Sequence, residues 1–118
     1  MLSGRIIEQY FQALQTRDGS LAASLFAEEG AIDDFRGRHH AGRGAIAAFI
    51  GQVPTLELEF PCAHVAQANR ITVYGNILYP GLPPILVRWV FTAENGLIGH
   101  LCNSRIELIP ESIRNRKS

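Results

Sequence analysis

Residues 85–105, ILVRWVFTAENGLIGHLCNSR, read as two strands joined by a tight turn. Ile85, Val87, Trp89 and Phe91 take every second position, the period of a half-buried strand. Glu94-Asn95-Gly96 follows as the hairpin. Leu97 to Leu108 forms the return strand. Working backward, Tyr79 to Pro84 (YPGLPP) must turn, and Ile71, Val73, Gly75 and Ile77 alternate again after a break at Ala68-Asn69-Arg70. Leu56, Leu58, Phe60 and Cys62 alternate with Glu57 and Glu59, the earliest of four long consecutive strands. Strands joined by turn-length links pair antiparallel.

Ahead of Pro54 the period is helical. Ile6, Ile7, Tyr10, Phe11 and Leu14 recur at the spacing of one helix face, with Ser3 as the cap. TRDGS (16–20) interrupts, and Asp18 or Ser20 caps a short second helix carrying Leu21, Ala22, Leu25 and Phe26, stopped by Gly30. Ala31 to Phe35 reads as a short strand and Arg36 to Gly42 as a turn or second short strand. Gly42-Arg43-Gly44 leads tightly into a third helix with Ile46, Phe49 and Ile50, ending at Gly51. Helices segregated from a run of antiparallel strands define an α+β fold.

The strand at 85–91 is apolar on both faces: Leu86 and Val90 on one, Val87, Trp89 and Phe91 on the other. A sheet covered by helices on one side needs a single apolar face. The second predicts further burial, which a homodimer through the sheet would supply.

The whole chain has 118 residues and reads as one domain, 1–109, with a polar tail at 110–118. Its formal net charge is zero, so neither nucleic acid nor an anionic membrane is an implied partner. Cys62 and Cys102 form no CxxC pair and read as packed thiols in a reduced, cytoplasmic setting. No apolar run reaches the length of a membrane span, and the N-terminus lacks a signal-peptide core. No glycine-rich phosphate loop occurs, and no cofactor is implied.

The segment YFQALQTRDGSLAASLFAEEGAIDDFRGRHHAGRGAIAAFI (10–50) resembles the nuclear transport factor 2-like (NTF2-like) superfamily. Within it, the likeness is to the ketosteroid isomerase and SnoaL-like polyketide cyclase branch. The resemblance rests on a tyrosine in the first helix, FAEE in the second, a strand ending in an acid, and G-R-x-A-I-x-x-F opening the third helix. ENGLI at 94–98 agrees. It implies a conical barrel: three N-terminal helices packed on a curved, mainly antiparallel sheet enclosing a pocket, with dimers formed through the sheets. It places Asp34 at the position of the family's general base and Tyr10 at that of an oxyanion-donating tyrosine. The third isomerase group, a protonated aspartic acid, falls on Val87 or Arg88, and neither is an acid.

The chemistry follows from those positions. A carboxylate in an apolar cavity has a raised proton affinity, because its charged form loses hydration. Such a group could move a proton beside a carbonyl while Tyr10 or Asn103 donates to the developing oxyanion. Asp33 and Asp34 alternate in a strand, so only one faces inward. The outward one is solvated or pairs with Arg36 or Arg38; the inward one is free to act as base or is held by an arginine, which would lower its proton affinity. His39 and His40 diverge in the same way, and His39 is placed at the pocket mouth. With the aspartates they lack a metal-ligand spacing such as HxxxH, and no metal is implied.

Phe11, Phe49, Leu58 and Trp89 are expected to line the pocket, with Leu101, Asn103 and Arg105 facing it from the last strand. Arg105 is an anion partner for a ligand there, the neutraliser of Asp34, or a rim residue pairing with Glu107 or Glu57. Three functions fit. One is an isomerase-, cyclase- or lyase-type enzyme transferring protons on a small hydrophobic carbonyl compound. The others are a non-catalytic binding protein for such a ligand, and a structural dimer or protein-interaction module.

Overall fold

A computed structural model describes residues 2–59 and 64–110, with backbone alone for His64 and Val65. Cys62 and positions 111–118 of the expected tail lie outside the described residues. Three helices, α1 (Gly4–Thr16), α2 (Gly19–Ser24) and α3 (Arg43–Gln52), accompany seven strands. The strands are β1 (Phe26–Asp33), β2 (His39–Ala41), β3 (Glu57–Glu59), β4 (His64–Gln67), β5 (Arg70–Leu78), β6 (Ile85–Glu94) and β7 (Leu97–Arg105). They form one curved, unclosed sheet in the order β2-β1-β7-β6-β5-β3, with β4 also paired to β5. All pairings are antiparallel except β1 with β7.

The β6–β7 hairpin turns at Asn95 and Gly96, whose φ values of 51° and 82° are the left-handed pair that Asn-Gly supplies. Val87, Trp89 and Phe91 point inward and are at most 1% exposed. Helix α1 lies against them. Ser3 accepts from the Ile6 amide at its start, and Arg17, at φ 57°, closes its end. Its buried face of Ile7, Tyr10, Phe11 and Leu14 stacks edge-on against the sheet, with Phe11 5.0 Å from Trp89 and Tyr10 5.5 Å from Phe91 between ring centroids.

Four elements differ from the expected ones. FAEE is strand, not helix. Phe26 pairs with Ile98, the register shifts before Ala31, and the Arg43 guanidinium holds the Phe26 carbonyl at 2.9 and 3.0 Å. Long-range pairing overrides a helical stripe too short to sustain itself. Gly30 serves this irregular strand: a Cβ there would crowd the Ala27 and Ile98 carbonyls and the Phe26 ring at 3.0–3.1 Å. Helix α3 runs through Gly51 and ends at extended Val53. The strand expected at 56–62 is seen as β3, with β4 following the undescribed residues, both pairing with β5. The last strand stops at Arg105.

Candidate functional site

A cavity of about 390 Å³ opens between α3, the β1–β2 turn and the inner face of the sheet. Ala45, Ala48, Phe49 and Gln52 reach it from α3, at the three- and four-residue spacing that shares one helix face. Ile46 and Ile50, on the other face, are fully buried in the core. Trp89, Ile77, Leu56 and Leu14 supply further apolar wall. The polar lining comes from Asp34, His40, Asn103 and Tyr79, with Arg36 and Arg38 on the turn.

The β1–β2 hairpin explains the crowding of charge at 33–40. Its register sets Asp33 opposite His39. Strand alternation turns Asp33 outward and Asp34 inward. Outside, Asp33 accepts from His39 Nδ1 and His100 Nε2, both at 2.6 Å, and these bonds hold its carboxyl below the ordinary range. Inside, Asp34 Oδ2 meets His40 Nε2 at 2.9 Å, while Oδ1 accepts the Arg36 and Arg38 amides at 2.9 and 3.0 Å. The Asp34 amide bonds the Arg38 carbonyl, and Gly37, at φ 83°, completes the turn.

The Asp34 side chain is only 9% exposed. Burial pushes its carboxyl up, but the His40 side chain and the Arg38 and Arg36 amides outweigh that and hold it below the usual range. The expected raised proton affinity is therefore corrected: three donors, the His40 ring nitrogen and two backbone amides, converge on the carboxylate. An ionised carboxylate only accepts hydrogen bonds. His40 must thus carry its proton on Nε2, leaving the Nδ1 lone pair free in the neutral ring. Phe49 fixes the ring plane by stacking at 4.2 Å and 23°.

Tyr10 is fully buried and is not in the cavity wall. Burial pushes its hydroxyl well up, and the Asn103 side chain beside it offsets part of this. The pair lacks good hydrogen-bond geometry: the Tyr10 hydroxyl and Asn103 Oδ1 both remain unpartnered among the described residues. Asn103 stands in the wall, so it, and not Tyr10, can reach a guest directly.

Of the other expected residues, Phe49 and Trp89 line the cavity with Asp34 and Asn103. Phe11 backs Trp89 from the core side, and Leu101 is fully buried. Leu58 packs on the core beside Ile77, while Leu56, two residues earlier, takes the wall position. Arg105 is exposed at the end of β7 and makes no ion pair among the described residues. His39, expected at the pocket mouth, points outward with its side chain 59% exposed, and His40 takes the inner place. The outward aspartate pairs with histidines instead of Arg36 or Arg38. Tyr79 and the two arginines were not anticipated as wall residues, and which histidine faces inward was left open; the signal for His40 was the equal six-residue spacing of Asp33–His39 and Asp34–His40 across a hairpin. Among the described residues, no group of His, Cys, Asp or Glu is arranged to hold a metal, and no helix is long and apolar enough to cross a membrane.

Helices on a curved, open, mostly antiparallel sheet, with a cavity between them, define the NTF2-like class of α+β proteins. The sequence profile of the SnoaL-like domain matches residues 4–94, and the chain belongs to that family. A protein from Sphaerobacter thermophilus is 29% identical, with a TM-score of 0.82 over 91% of this chain and 98% of that one. A Sinorhizobium meliloti protein provisionally named a polyketide cyclase is 22% identical, with a TM-score of 0.73 over 86% of this chain and 95% of that one. A Catenulispora acidiphila protein with a ketosteroid isomerase-like fold, solved in complex with trimethylamine, is 13% identical (TM-score 0.73; 86% and 85% of the two chains). No functionally curated protein matches the chain in sequence.

Proposed function

We propose that this protein transfers protons on a small carbonyl compound held in the cavity, with His40 as the base. The observation that carries this reading is the 2.9 Å bond from His40 Nε2 to Asp34 in the cavity wall. It fixes the tautomer and stabilises the imidazolium that forms when Nδ1 takes a proton, as a carboxylate partner does for a catalytic histidine. Asn103, also in the wall, would donate to the developing oxyanion. This is the proton-transfer step common to isomerisation, aldol-type cyclisation and dehydration.

The test is deuterium incorporation in D2O, followed by NMR, over a panel of enolisable ketones and β-keto esters. His40→Gln should slow exchange about a hundredfold or more, the usual worth of a positioned acid–base group. His39→Gln, on the outer face, should leave it unchanged. Exchange at the wild-type rate in His40→Gln refutes the assignment.

The outer sheet face supports a homodimer. Leu86 and Val90 are half-buried there beside Tyr74, and Arg88 Nε is buried without a partner among the described residues. A second copy would cover these groups. Light scattering at micromolar concentration tests it, and a monomer would refute it.

A further inference from the structure

We infer that the ligand is a small apolar carboxylate, an oxo acid whose anionic end sits between Arg36 and Arg38. This rests on the cavity described above and deepens the proposed reaction by naming the charge of its substrate. Both arginines line the cavity and are exposed. Neither guanidinium has an ion pair or a side-chain hydrogen bond: every ion pair among the described residues joins a histidine to an aspartate. The carboxylate of the wall, Asp34, is committed to His40 and to two backbone amides of the same turn. Two permanent positive charges therefore line the cavity with no counter-ion among the described residues.

The rest of the wall sets the body of the guest. Trp89, Phe49, Leu56 and Ile77 are apolar, and the volume of about 390 Å³ holds roughly a dozen water-sized groups. The Arg36 charge also reaches the Tyr79 hydroxyl, where it offsets part of the upward push of burial. The phenol and the guanidinium thus share one region of the wall. Guanidinium pairs bind carboxylates through parallel N–H bonds. A guest anchored that way has the apolar wall that includes Trp89 for its body and shares the cavity with His40.

Binding of 3-phenylpropionate and of 3-phenylpropionamide, equal in heavy atoms and different in charge, reads this directly. Trp89 is the sole tryptophan and stands in the wall, so its fluorescence reports occupancy. In low salt the acid should bind about tenfold or more tighter than the amide, and the gap should narrow near 0.5 M NaCl. The Arg36→Gln, Arg38→Gln double variant should erase the acid's advantage, the acid losing about tenfold or more in affinity beyond any loss of the amide. Both side chains are exposed and unbonded, so folding survives the change. Equal affinities in the wild-type protein, equal losses in the double variant, or no binding of either probe up to about 10 mM would each overturn the inference. Binding is read without turnover. A silent His40 with an intact acid preference would sink the proposed reaction alone, and an active His40 with no acid preference would sink this inference alone.

Discussion

Replacing Tyr10 by phenylalanine should stabilise the protein and leave proton transfer intact. The ring is 0% exposed and keeps its edge-on contacts with Phe11, Phe26 and Phe91 in the variant, since these involve no hydroxyl. The hydroxyl has lost its water and found no well-aligned partner, a state that costs about 1–3 kcal/mol in mutational series. The adjacent Asn103 recovers part of that, so the net gain on removal is about 1 kcal/mol. With 118 residues and about 2.1 cal/mol/K of unfolding entropy each, 1 kcal/mol shifts Tm by about 4 °C. Calorimetry should therefore show Tm raised by a few degrees, and the deuterium-exchange rate should stay within about twofold. If Tyr10 donated to the oxyanion, its loss would cost on the order of a hundredfold in rate. That loss, or a Tm lowered by about 4 °C or more, refutes the reasoning.

The packing of α2 on α3 gives a second expectation. A Cβ at Gly19 would run into the Ala47 carbonyl, so Gly19→Ala should destabilise by about 1–3 kcal/mol, read as a Tm lower by several degrees; an unchanged Tm would show that the helices separate freely. Acid should destabilise the fold through Asp33 and Asp34, both held below the ordinary carboxylate value of 3.8. Between the folded and unfolded values the unfolded chain binds more protons, so this stability is complete above the unfolded value and is lost as pH falls through the folded ones. Urea titrations at a series of pH values should show a shallower acid limb in Asp33→Asn, and an identical limb would remove the His39 and His100 contacts as its cause.

The strands from β5 onward were legible because alternation and an Asn-Gly turn are local signals, and the observed φ values at Asn95 and Gly96 are the ones that pair favours. The start of β1 was not. Leu25 and Phe26 complete a helical stripe with Leu21 and Ala22, and only the pairing of Phe26 with Ile98, far along the chain, turns the segment into strand. The site shows the same division. That one aspartate faces in and one out follows from strand period. Which histidine joins which aspartate depends on the hairpin register, 33 against 39, and that is set by the turn. The direction of the Asp34 shift was less accessible still. It depends on two backbone amides that reach the carboxylate only once Gly37 has taken its left-handed conformation.

The two oxygens of Asp34 have separate tasks, which makes Asp34→Asn an unusually sharp test. Oδ1 accepts the two amides of the turn that bears Arg36 and Arg38, and Oδ2 accepts from His40. Asparagine keeps one acceptor oxygen and gains an NH2 donor. The turn offers two N–H donors, so the oxygen stays with them and the NH2 faces His40. Nε2 must then accept, and the imidazole proton moves to Nδ1, the atom required as base. The variant should keep its fold and its preference for the acid probe while deuterium exchange falls about a hundredfold or more. Nitrogen-15 spectra of the histidine rings should show the Nε2–H form in the wild-type protein and the Nδ1–H form in the variant. Retention of Nε2–H in Asp34→Asn together with lost exchange would mean that the carboxylate itself is the base. Undiminished exchange from a ring protonated on Nδ1 would remove His40 from the chemistry.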